Sequence, residues 1–152
     1  MFICSVKMSR RKLILIGAAI LLAILIAVGA SFAGRSAPDY AGGDNAARAA
    51  FLSSFGWTGS EEPVEEAEVA IPAEFTDVYK GYNALQQSQG FDLTPYKGET
   101  VLRYTYNISN YEGQPDMQAH ILVYDGRIIG GDLCSPQLDG VMCGFSGEPW
   151  SS

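Results

Sequence analysis

The sequence of 152 residues contains a single histidine, His120, and within fifteen positions of it stand Asp132 and Cys134. A thiol, an imidazole and a carboxylate are the parts of a nucleophile, its base and the group that orients the base, so these three residues invite a cysteine-hydrolase reading. Strand parity decides whether they can meet. Asp125-Gly126 is a dipeptide favoured in two-residue type I′ hairpins. Such a turn pairs Tyr124 with Arg127, Ile121 with Gly130, His120 with Gly131 and Met117 with Cys134. Alternation then places His120 on one face with Leu122, Tyr124 and Ile129, and Cys134 on the other with Ala119, Ile121 and Val123. The expectation is that they do not meet and that the chain is not an enzyme, although a bulge at Gly130-Gly131 would shift the parity of Asp132 and Cys134. A small hydrolase using Cys134 and His120 is the alternative.

Other chemistry finds less support. One histidine with no CxxC or HxxxH spacing does not fit the usual zinc patterns. Asp132, Asp139 and Glu148 lie near glycines without forming a DxDxDG calcium loop. No GxxxxGK, GxGxxG or GxSxG motif occurs. The sequence therefore leads us to expect no catalytic residue, metal or cofactor. Cys134 and Cys143 are candidates for a disulfide that would close the loop SPQLDGVM, the alternative being two reduced thiols.

The elements that must position these residues begin with a membrane signal. Residues 13–33, LILIGAAILLAILIAVGASFA, carry no ionisable side chain and are long enough to cross a bilayer as a helix. Lys7, Arg10, Arg11 and Lys12 precede the run and no acidic residue does, so the positive-inside rule keeps residues 1–12 in the cytoplasm and exports the chain beyond the run. The run is longer than the apolar stretch of most cleaved signal peptides, which favours an anchor; cleavage after Ala33 or Ala30 would instead secrete the domain. Four of the ten basic residues lie before the run and none of the 17 acidic ones, so the whole-chain charge of −7 becomes −11 outside the membrane. That balance argues against nucleic acid as a partner. It leaves the bilayer, and an envelope protein or peptide, as expected partners.

Residues 34–44 read as a linker and 45–152 as one extracytoplasmic α+β domain. NAARAAFLSSFGW places Ala47, Ala50, Phe51 and Phe55 on one helical face, with Asp44 or Asn45 as N-cap and Gly56 as stop. Residues 59–71 are an acidic loop entering a half-buried strand, in which Glu61, Glu62, Glu65, Glu66 and Glu68 form either a solvated edge or a site for a cation or basic peptide. From Pro72, the expected helix start, to Gln89, the residues Phe75, Val78, Tyr79, Tyr82 and Leu85 fall on one buried stripe, with Gly90 at the end. Three strands come after it, 101–108, 117–124 and 127–134. The order is helix, strand, helix and a three-stranded antiparallel meander, with two helices packed on the sheet. Eight tyrosines are spread over the exported part, more phenols than one small core needs, so Tyr104, Tyr106 and Tyr124, with His120, Glu65, Glu66 and Glu68, are the candidate partner-contact surface.

The segments NAARAAFLSSFGW, IPAEFTDVYKGYNALQQSQGFDL, PYKGETVLRYTY, LVYDGRIIGGDLCSP and LDGVMCGF together resemble a bacterial domain-of-unknown-function family, number 4830, over residues 46 to 145. The resemblance implies a small envelope domain, often preceded by one membrane segment, and brings no catalytic residues. The helix-plus-meander order also resembles the PepSY type of small inhibitory or binding domain at the level of fold. The expectation is a non-enzymatic binding or regulatory module, membrane-anchored and facing outward.

Overall fold

The computed structural model describes residues 39–137 and 140–149. The apolar run 13–33 lies outside the described residues, and among those described no helix is long and apolar enough to cross a membrane.

Local chemistry explains where the elements begin and end. Helix α1 spans Asn45–Ser54, opened by the Asp44 carboxylate accepting from Ala47 N–H at 2.8 Å and closed at Gly56, whose φ of +85° suits only glycine well. Helix α2 spans Asp77–Ser88 and starts later than expected, because Thr76, not Pro72, caps it; the Thr76 hydroxyl accepts from Tyr79 N–H at 3.3 Å. Val78, a member of the expected stripe, is 86% exposed and does not join the buried face. The chain ahead of the helix is still strand-like, since Ile71 N–H donates to Glu99 O at 2.8 Å.

The strands are β1 (Tyr40–Ala41), β2 (Glu65–Ala70), β3 (Thr100–Asn107), β4 (Gln118–Tyr124), β5 (Arg127–Cys134) and β6 (Met142–Cys143). They form one antiparallel sheet in the order β1-β5-β4-β3-β2, with β6 on the far end of β5. The architecture is α+β with two helices packed on an antiparallel sheet, as expected, but among the described residues the sheet has six strands. Two pieces are additions. Tyr40 and Ala41, expected in the linker, pair with Ile128 and Arg127. They are held there by the Tyr40 ring 4.9 Å from Phe51 and by an Asp39–Arg127 ion pair. The other addition is β6, in a segment with too little periodicity to announce a strand.

The hairpin at Asp125-Gly126 forms as expected, with φ of 48° and 73°, the left-handed pair of a type I′ turn. Beyond it the register departs from the simple count. Tyr124 pairs with Arg127 and Val123 with Ile128, but Leu122 pairs with Gly130, so Ile129 is an extra residue on β5. From there on every residue of β5 is one step out of the unbulged parity: Ile121 meets Gly131, His120 meets Asp132 and Gln118 meets Cys134. The glycines make this possible. Gly131 has φ +153°, and a Cβ there would lie 2.6 Å from Phe145 Cζ; one on Gly130 would lie 2.7 Å from Gln86 Oε1.

Each face of the sheet carries its own core. On one, Phe51 and Leu52 of α1 pack with Tyr104, Tyr106, Ile121, Leu133 and Phe145. On the other, Tyr79 and Tyr82 of α2 pack with Ile71, Leu93, Val101, Leu122 and Ile129. Neither face is open, which corrects the expectation for two tyrosines. Tyr104 and Tyr106 are buried beneath α1, where the Arg48 guanidinium lies 3.6 Å over the Tyr104 ring and its Nε–H donates to Tyr106 Oη at 2.8 Å.

Candidate functional site

The bulge at Ile129 places Asp132 and Cys134 on the α2 face with His120. This overturns the expectation that Cys134 and His120 lie on opposite faces; unbulged parity would have separated them. His120 Nδ1 lies 3.1 Å from Asp132 Oδ2 and 3.6 Å from Cys134 Sγ. Tyr82, projecting down from α2, donates its hydroxyl to the other oxygen, Asp132 Oδ1, at 2.8 Å. Asp132 is almost wholly covered, with 4% of its side chain exposed against 19% for His120. Behind them Gln86 Oε1 accepts from Gly131 N–H at 2.8 Å, and Gln89 Nε2 donates to Gly131 O at 3.1 Å, so α2 grips the strand just before the cluster.

The environment sets the charge of the imidazole. Burial disfavours its cation, but the Asp132 hydrogen bond, the Cys134 contact and their charges outweigh that and raise the pKa to about 9. The Tyr82 phenol is pushed well above its ordinary range by burial first and by Asp132 second, so it stays a donor. These groups form the floor of a groove of about 330 Å³ whose walls include Val69, Tyr79, Arg103 and Met142. Arg103 donates to Glu65 Oε2 at 2.8 Å, while its Nε is buried without a partner. An apolar hollow of about 490 Å³ along α2, edged by Val78, Tyr79 and Met142, lies beside it.

A hydrolase relay needs the nucleophile on one imidazole nitrogen and the orienting carboxylate on the other. Here Asp132 and Cys134 both address Nδ1. The three residues are gathered, but not in the order of a relay.

The other residues singled out in the sequence are scattered. Glu65 pairs with Arg103 and accepts from Thr105 Oγ1 at 3.2 Å on the α2 face. Glu66 and Glu68 are exposed on the opposite face of the same edge strand. Tyr124 sits at the far end of β4, donating to Glu99 Oε2 at 3.1 Å. Cys134 and Cys143 are free thiols. Cys134 pairs with Met142 while Cys143 pairs with Leu133, so their side chains leave the sheet on opposite sides and the candidate disulfide does not form. Tyr82, Arg103 and Met142 are among the groove residues that sequence reading did not assign to a site. Tyr82 stands in the helical stripe and reads as core; nothing in its spacing marks the hydroxyl for Asp132.

Fold and site together define a small α+β sheet domain, covered by one helix on each face, with a polar His-Asp-Cys groove under the second helix. The chain belongs to the family described as Domain of unknown function (DUF4830), whose model matches residues 51–133. The match takes in Tyr82, His120 and Asp132 and stops one residue short of Cys134. No curated protein and no solved structure matches the chain.

Proposed function

We propose that the chain is a non-enzymatic binding or regulatory module, anchored by residues 13–33 with its N-terminus in the cytoplasm and its acidic domain outside a bacterial membrane. Its partner is a basic, extended segment of an envelope protein, taken along the outer edge of β2. The observation that carries this reading is that edge. Among the described residues β2 pairs only with β3, so its other side offers a row of backbone donors and acceptors. Its exposed charged side chains are Glu65, Glu66 and Glu68, in a domain of strongly negative charge, which favours and steers a basic partner. Val69, Ala70 and Ile71 also wall the groove, so every second side chain of an added strand would face it. The competing hydrolase reading is weakened by the shared Nδ1 contact of Cys134 and Asp132.

A photo-crosslinking residue placed at Ala70 of the full-length chain in cells should capture one discrete partner; the same residue at Glu112, on an exposed loop, should not. Capture should fall when Glu66 and Glu68 are both changed to lysine and when salt is raised. Equal capture at both positions, or capture indifferent to the charge reversal, would sink the proposal. Hydrolysis of an envelope substrate, abolished by Cys134→Ala, would favour the competitor.

A further inference from the structure

We propose that His120, Asp132 and Cys134 hold one divalent transition-metal ion of the zinc type. This inference is independent of the β2 edge. One thiolate sulfur, one imidazole nitrogen and one carboxylate oxygen are the borderline-soft donor set from which three-ligand zinc sites are built, leaving a fourth position for water or a ligand.

The geometry agrees with that chemistry. One ligand atom from each residue lies within 4.8 Å of the others. An ion about 2.3 Å from sulfur and about 2.0 Å from nitrogen and oxygen in a tetrahedron separates its ligand atoms by roughly 3.3 to 3.6 Å. The two separations from His120 Nδ1, 3.1 Å to oxygen and 3.6 Å to sulfur, bracket that range. The shared Nδ1 that spoils a catalytic relay is what an ion requires, since all three donors then converge on one point. The third edge, between thiol and carboxylate, closes when the ion replaces the shared proton; binding sends that proton and the thiol proton to solvent.

Three further features fit. Asp132 and Cys134 are next-but-one neighbours on β5, and His120 is the direct cross-strand partner of Asp132, so a rigid sheet carries all three ligands. Tyr82 Oη, donating to Asp132 Oδ1 at 2.8 Å, leaves Oδ2 to the ion and fixes the carboxylate in the way that outer partners orient metal ligands. The fourth position opens toward the groove of about 330 Å³.

The test uses the full-length chain in detergent, carrying Cys4→Ser so that the thiol outside the domain is silent, with cobalt(II) as the probe. One cobalt per chain should bind, with tetrahedral visible bands and a near-ultraviolet sulfur-to-cobalt charge-transfer band, and zinc should displace it. Cys134→Ser should remove the charge-transfer band, whereas Cys143→Ala should keep it. His120→Ala and Asp132→Asn should each weaken binding more than Tyr82→Phe, which should weaken it about tenfold. Circular dichroism of each metal-free variant separates loss of ligand from loss of fold. No charge-transfer band at a roughly tenfold excess of cobalt, or a band surviving Cys134→Ser, would overturn the inference and leave a hydrogen-bonded cluster only.

Discussion

The two faces of the sheet are built from the same strands and end up with opposite characters. The α1 face is closed: Phe51 meets Phe145 edge-on at 4.8 Å, and the cation Arg48 is engaged by Tyr106 Oη and by Gly42 O at 2.7 Å. The α2 face has a smaller apolar core and a wet corner. Its polar groups, Tyr82, His120, Asp132 and Cys134, are tied to one another and keep a side open to the groove. A polar group enclosed in a core must satisfy itself completely, because no water can reach it. One beside a groove can leave part of its bonding capacity for something that arrives later. The contrast therefore marks which polar cluster is structural and which is available.

The sharpest way to break that contrast is to remove the backbone device that separates the faces. Gly131→Ala puts a Cβ against the His120 carbonyl and the Phe145 ring at a φ that disfavours side chains, and neither neighbour can give way. We expect a loss on the order of 3 kcal/mol or more in urea unfolding. A loss below about 1 kcal/mol would mean that the bulge relaxes and that the faces are not locked.

A matched pair of smaller changes tests whether the polar clusters differ. Tyr106→Phe strips a buried hydroxyl that accepts from Arg48 Nε–H and donates to Asn45 Oδ1 at 2.8 Å. Tyr82→Phe strips one that only donates to Asp132, which keeps His120 as a second partner at 3.1 Å beside the groove. The first should cost about 2 kcal/mol and the second about 1 kcal/mol or less in unfolding experiments without added metal. Equal losses would erase the distinction between a structural cluster and an available one.

The smallest expected effect has the opposite sign. Gly81 sits inside α2, and a methyl group added there would meet nothing within 4 Å, so Gly81→Ala should stabilise the fold by about 0.5–1 kcal/mol. A destabilisation would mean that the outer surface of α2 is constrained by more than its own backbone.

The parts of the fold written in local chemistry are legible in the sequence. Asp44 and Gly56 bound the first helix, Gly90 ends the second, and Asp125-Gly126 makes the hairpin. The parts that escape reading are set by tertiary contact. A two-residue strand at Tyr40–Ala41 exists because β5 has a free edge to meet it, and no periodicity can be seen over two residues. Tyr104 and Tyr106 look like surplus phenols because their partners, Arg48 and Asn45, come from a helix about sixty residues away in sequence. The site hides for a similar reason. His120, Asp132 and Cys134 all stand out by type, and the Gly130-Gly131 pair signals that their parity can change. The extra residue is nevertheless Ile129, an ordinary β-former with no local signature.

That single residue has a consequence for comparing this chain with its relatives. A fixed number of positions between the turn glycine and the aspartate is not what defines the groove. A relative lacking both Ile129 and the bulge would still set histidine against aspartate, through an unbroken ladder. A relative of unchanged length that lost only the bulge would set the histidine against a glycine and turn the acid and the thiol toward the phenylalanines under the first helix. A search by spacing alone would therefore reject the first, which keeps the chemistry, and accept the second, which has lost it. Within this family, length and bulge have to be read together before two members are said to share a site.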